Sequence, residues 1–246
     1  MNKNIKFLTG SCVLLISTCA NSASLEIHDD KRNRDIPVLI TEPVSTTCTP
    51  TKRCPVAIFS AGNKVPHDRY SFLTDKFNEM GYITISINHE LPNDPPLSKV
   101  GDLYLTRIEN WQRGADTINH VVKKLPDYFP NNYDFSNIVL VGHSNGGDIS
   151  TWLTNMNKDY ISTLITLDHK RVPLPRTTGI HVLSINSPEY PTKLGVLYSP
   201  EEQEHFGSQV HMIELSKHMD FSDFGTQEVH EKTNKIIEQF LRVQNP

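Results

Sequence analysis

The sequence has no apolar run long enough to cross a bilayer, no H-E-x-x-H and no G-x-G-x-x-G. These absences argue against a spanning helix, a zinc hydrolase of the helical type and dinucleotide binding. His89-Glu90 stands without a second histidine at ligand spacing, so neither a metal nor a cofactor is expected. A basic stripe is also missing. The 24 basic side chains are outnumbered by 28 acidic ones, for a net charge of −4. Nucleic acid is therefore not an expected partner. What remains, 37% hydrophobic and 21% charged residues, is ordinary for a globular fold.

The start of the chain reads as an export signal. Lys3 and Lys6 precede a short apolar stretch, Phe7 to Cys19, and Ala20-Asn21-Ser22-Ala23 then offers small residues for cleavage. A cut after Ser22 places Ala20 three positions before it; a cut after Ala23 places Asn21 at a position it suits poorly. A lipid-anchored alternative through Cys19 has Thr18 in an unsuitable place. Loss of residues 1–23 removes two lysines and takes the charge to about −6. The expected mature protein is 24–246, a single domain without a membrane span, periplasmic or secreted.

Only Cys48 and Cys54 then remain. In an oxidising compartment they would close a small ring, worth roughly 2 kcal/mol by loop entropy. Two free thiols are the alternative, and the spacing does not suit zinc.

Strands and helices alternate along the rest. Leu25 to His28 and Asp35 to Thr41 read as a hairpin. Val56 to Ser60, Tyr82 to Ile87, Ile138 to Val141, Ile161 to Leu167, His181 to Ile185 and Val210 to Leu215 read as further strands. Helices fall at Tyr70 to Met80, at Trp111 to Leu125 with Pro126 as its stop, from Ile149 through Trp152 and Leu153, and at 227–243. The pattern calls for a mostly parallel central sheet with helices on both faces and an antiparallel N-terminal hairpin at one edge.

Gly142-His143-Ser144-Asn145-Gly146 is a G-x-S-x-G pentapeptide between a β-branched strand and a helix. A serine hydroxyl needs a base and an oxyanion site to act as a nucleophile. That setting suits a sharp turn presenting Ser144. His218, on the loop after the last strand, is the candidate base; His211 and His230 fall inside elements. Asp168, ending the strand after the serine's helix, is the candidate acid, with Glu189 as rival. Asp220 and Asp223 suit the shaping of the His218 loop. The backbone N–H groups of Asn145 and Asn63 are the candidate oxyanion donors.

On these residues, together with Arg34-Asp35-Ile36-Pro37-Val38 and Phe59-Ser60-Ala61-Gly62-Asn63, the chain resembles the α/β-hydrolase superfamily. Within it, the chain is similar to platelet-activating-factor acetylhydrolase-like and dienelactone-hydrolase-like esterases. The likeness spans residues 25–243. Ala61 departs from the family's usual His-Gly pair, and the serine separates the chain from true dienelactone hydrolases, which use cysteine. The resemblance implies a serine hydrolase of carboxylic esters acting through an acyl-enzyme. An amidase, an acyltransferase or a non-catalytic binding protein would share the same scaffold. Asp168 to Ile180 is too short and too proline-rich for a large cap domain, so loops, including Leu91 to Pro96, should roof the pocket. Small or flexible esters then suit it better than enclosed lipids.

Overall fold

The computed structural model describes residues 22–44, 46–129 and 131–244. Most of the proposed leader lies outside those residues. Its last two positions, Ser22 and Ala23, pair with Thr41 and Ile40 at the start of the first strand.

Eight strands form one sheet: β1 (Ser22–Asp29), β2 (Arg34–Thr41), β3 (Cys54–Ser60), β4 (Ile83–Ile87), β5 (Tyr133–His143), β6 (Ile161–Leu167), β7 (His181–Asn186) and β8 (Gln209–Met212). Their spatial order is β1-β2-β4-β3-β5-β6-β7-β8. β1 pairs antiparallel with β2, and β2 antiparallel with β4; the remaining pairings are parallel. This is the sheet expected from the alternating pattern. Between β3 and β5 the winding reverses direction, which opens a crevice at their carboxyl ends.

Burial on both faces follows from the strand sequences. Successive side chains of β3 and β5 point to opposite faces and are apolar on each. Ile58, Ile138 and Leu140 pack with Trp111 and Ile118 of α2 (Ile108–Tyr128) and with Ile149 and Leu153 of α3 (Asn145–Thr154). Ala57, Phe59, Val139 and Val141 pack on the other face with Leu73 and Phe77 of α1 (Ser71–Glu79). Ile237 and Phe240 of α5 (Gln227–Gln244) join that second layer.

Several elements differ from expectation. Pro126 does not stop α2, which runs to Tyr128. A proline there forfeits only the bond to the Val122 carbonyl, and Phe129 N–H closes the turn on the Leu125 carbonyl at 3.0 Å. The last strand ends at Met212 rather than Leu215, whose φ of 67° is incompatible with a strand. A helix without a counterpart in the expected pattern, α4 (Pro200–Phe206), precedes it. Ser199 and Glu202 bond reciprocally across its first turn, with Pro200 inside the start.

Cys48 and Cys54 are joined by a disulfide, which closes the ring just where β3 begins. No helix among the described residues is long and apolar enough to cross a membrane.

Candidate active site

The crevice at the ends of β3 and β5 gathers the residues singled out in the sequence. β5 ends at His143 and α3 begins at Asn145, so Ser144 is the whole turn between them. Its φ of 55° and ψ of −120° lie where an L residue is disfavoured. The flanking glycines serve a different need, which is space. A Cβ on Gly142 would strike the Gly146 backbone, and one on Gly146 would strike the Ser60 carbonyl. The turn is held by Ser144 N–H donating to the Leu167 carbonyl at 2.9 Å and Asp148 N–H to the Ser144 carbonyl at 3.0 Å.

Ser144 Oγ lies 2.8 Å from His218 Nε2, and His218 Nδ1 lies 2.6 Å from Asp168 Oδ2. The structure thus brings together the serine, the histidine and the aspartate expected from the sequence. With Nδ1–H donating to the carboxylate, Nε2 carries the lone pair that faces the serine hydroxyl. Glu189 is also present but elsewhere on the same residue: its Oε2 accepts the His218 backbone N–H at 2.6 Å. Asp220 accepts from Lys217 N–H at 2.8 Å, and Asp223 from the N–H groups of Ser71 and Phe72 at 3.0 and 3.2 Å, capping α1. Both shape the surrounding loop. His230 stacks on Phe72 and His211 meets Gln209, each away from the serine.

Asp168 is fully buried, and four donors surround it. Oδ1 accepts from Lys170 Nζ at 2.6 Å and from Ser187 N–H at 2.8 Å; Oδ2 accepts from Ser187 Oγ–H at 2.9 Å as well as from His218. Burial pushes its carboxyl up, but the bonds from His218, Lys170 and Ser187 outweigh it and hold the group at about 2. The aspartate therefore stays ionised behind the imidazole.

A second chain of bonds was not visible in the sequence. Gly62 N–H donates to the Tyr70 hydroxyl at 2.8 Å, and that hydroxyl lies 2.9 Å from His143 Nδ1. His143 Nε2 lies 2.9 Å from the His218 carbonyl. Burial, then the neighbouring charge of His218, pushes His143 down to about 3, so the ring is neutral. The carbonyl must receive Nε2–H, which leaves Nδ1 to accept from Tyr70. One neutral ring thereby ties the loop after β3, the turn at Ser144 and the loop of His218. Tyr70 supplies the support that Ala61 cannot.

The two candidate oxyanion donors face the same space. Asn145 opens α3, where the N–H groups of the first turn have no partner within the helix. Its side chain is fixed from α2, Oδ1 accepting from Trp111 Nε1–H at 3.1 Å and Nδ2 donating to Asn110 at 2.9 Å. Asn63 N–H meets no acceptor among the described residues, and both residues border the cavity at Ser144.

No protein-family model and no curated protein matches this sequence. Solved structures do. The chain is similar to Est1E from Butyrivibrio proteoclasticus, with a TM-score of 0.62 and 14% identity over 89% of this chain and 99% of that one. A dienelactone hydrolase from Anabaena variabilis matches with a TM-score of 0.60 and 10% identity over 91% and 97% of the two chains. A thermophilic esterase from Thermogutta terrifontis, Est2 with butyrate bound, matches with a TM-score of 0.63 and 14% identity over 90% and 94%. The chain has the α/β-hydrolase fold.

Among the described residues there is no cap domain over this fold. Residues 168–180 run from β6 to β7 as a loop without a helix, held against the following segment by Leu174 N–H on the Val196 carbonyl at 2.9 Å. Above Ser144 is an open cavity of about 400 Å³. Leu97, directly after the proline-rich segment, lines it together with Tyr190, Pro191 and Met219. Arg107, Lys170 and Arg171 complete its walls.

Proposed function

We propose that this protein is an exported serine hydrolase that cleaves carboxylic esters. Ser144 is the nucleophile, His218 the general base and Asp168 the group that orients and stabilises the imidazolium. The reading is carried by one observation, the relay from Ser144 Oγ through His218 to Asp168 at 2.8 and 2.6 Å. His218 Nε2 takes the serine proton as Oγ attacks the ester carbonyl. The N–H groups of Asn63 and Asn145 hold the oxyanion. His218 then gives its proton to the leaving alcohol, and water repeats the sequence on the acyl-enzyme.

An uncapped cavity of about 400 Å³ favours small or flexible esters. The butyrate in the Thermogutta esterase structure agrees with a short acyl group. The Cys48–Cys54 bridge supports export, since such bonds persist in oxidising compartments.

The deciding experiment is labelling with a neutral fluorophosphonate, followed by mapping of the modified residue. Covalent adduct on Ser144, absent from Ser144→Ala, is the expected result. A folded protein that takes up no label at Ser144 would end the hydrolase reading.

A further inference from the structure

Asn63 stands between two residues whose N–H groups are both engaged by side chains. Gly62 N–H donates to the Tyr70 hydroxyl at 2.8 Å, and Lys64 N–H donates to Glu90 Oε2 at 3.1 Å. The Asn63 N–H between them has no acceptor among the described residues. Val65 N–H closes this turn on the Gly62 carbonyl at 3.0 Å, and Lys64 takes a φ of 62° inside it. That place in a turn favours glycine or asparagine, and a lysine keeps it only where the surroundings impose it. Tyr70 holds one side of the turn; Glu90 holds the other.

Glu90 lies on the segment after β4, and that segment is pinned on both sides of it. Asn88 N–H donates to the Pro37 carbonyl at 3.0 Å. His89 Nε2 lies 2.9 Å from Ser60 Oγ, and the His89 carbonyl accepts from Arg34 Nη2 at 3.0 Å. Arg34 also forks onto Asp94 at 2.5 and 2.6 Å, and Asp94 Oδ2 accepts Leu91 N–H at 2.8 Å. The two side chains of this fork are only 12% and 9% exposed, which suits a rigid bidentate pair. Arg34 and Pro37 belong to the stretch Arg34-Asp35-Ile36-Pro37-Val38, for which the triad itself has no use.

The carboxylate of Glu90 makes one hydrogen bond among the described residues, and its Oε1 is buried without a donor. An idle buried oxygen is a cost to the fold, and the one bond made goes to the loop of Asn63. A negative charge beside that loop repels an oxyanion, so what Glu90 supplies there is placement.

We propose that Glu90 is a positioning residue for acyl transfer: it fixes the peptide next to Asn63 and, with Tyr70 on the opposite side, keeps the Asn63 N–H aimed at the oxyanion. The inference rests on the serine-hydrolase reading and concerns how its oxyanion site is held. Donors fixed beforehand need no reorganisation as charge develops.

The test separates reach from charge. Glu90→Asp keeps the charge and withdraws the carboxylate by one methylene. Glu90→Gln removes the charge and keeps an acceptor oxygen at the same reach. Glu90→Asp should lower kcat by about ten- to a hundredfold, as a misplaced donor does. KM should change by less than about threefold, because the loss belongs to the transition state. Glu90→Gln should recover most of the native kcat. Rates are taken per Ser144 that a fluorophosphonate labels at completion, which removes any loss of folded protein from the comparison. A trifluoromethyl ketone, which Ser144 attacks to place an oxyanion in the same site, should lose affinity for Glu90→Asp by the factor that kcat loses.

A native kcat in Glu90→Asp, a loss in Glu90→Gln as large as in Glu90→Asp, or a loss carried by KM alone overturns the role of Glu90. In each of these outcomes a native protein that labels at Ser144 remains a hydrolase. A native protein that takes no label defeats the hydrolase reading, and the role of Glu90 falls with it.

Discussion

Lys170 Nζ sits 2.6 Å from Asp168 Oδ1, on the carboxylate oxygen that His218 leaves free. Both groups are buried, with side-chain exposures of 7% and 0%. Removing the cation strips a buried carboxylate of its charge partner. Lys170→Met should therefore destabilise the fold, by up to about 3–5 kcal/mol. Urea unfolding of the two proteins measures this directly; equal midpoints and slopes would show that Ser187 and His218 satisfy Asp168 alone.

The two acids around His218 are separated by function. Asp168→Asn removes the charge that steadies the imidazolium and should lower kcat by at least about a thousandfold, comparable to Ser144→Ala. Glu189→Gln leaves a carbonyl oxygen on the His218 backbone N–H and should cost less than about tenfold. Steady-state kinetics on one soluble ester distinguishes the pair, and the opposite ranking would move the acid to Glu189.

Tyr70→Phe keeps the ring and deletes one oxygen. It leaves Gly62 N–H and His143 Nδ1 without their partner. Each buried polar group so exposed costs about 1–3 kcal/mol. The expected variant is less stable by a few kcal/mol and slower, because the loop of Asn63 loses its tie to the serine turn. Thermal unfolding and kcat should both respond; a change in neither would mean that the bridge positions nothing.

Stability should fall steeply on acidification, for a reason that can be signed. His143 and His89 are both held neutral down to about 3, by burial first and by neighbouring charge second. Unfolded histidine takes a proton near 6.5. Between those values the unfolded chain binds more protons, so each ring contributes stability that is complete above about pH 6.5 and declines below it. The slope is about 1.4 kcal/mol per pH unit for each. Asp168 adds a loss only below about pH 4, as its own folded value near 2 is approached. Melting temperature should drop between pH 7 and pH 5, and His89→Asn should flatten that slope. A level profile over this range would refute the assignment.

Much of this arrangement could be read from the chain. The doubly apolar strands Val56 to Ser60 and Ile138 to Val141 announce a sheet buried on both faces. The pentapeptide around Ser144 and the strand-end position of Asp168 sit at the places where such a sheet opens. His218 follows from chain order. The supporting groups did not emerge, because nothing local marks them. Tyr70 reads as one more apolar residue of a helix start, and only the fold carries its hydroxyl to His143, 73 positions away. Arg107 and Arg171 carry no local signal, and only the fold brings them to the border of one cavity. α4 is a different case. Ser199-Pro200-Glu201-Glu202 is a complete helix-start signature, but the seven-residue helix it opens has no buried face and so shows no apolar period.

The backbone at Ser144 has a further implication. Its φ of 55° is comfortable for glycine and awkward for every residue that bears a side chain. Ser144→Gly should accordingly yield an inert protein that outlasts the native one in a thermal challenge, by an increment on the order of 1 kcal/mol. Robustness and chemical capability thus draw this single position in opposite directions, and the natural chain has settled on the side of capability.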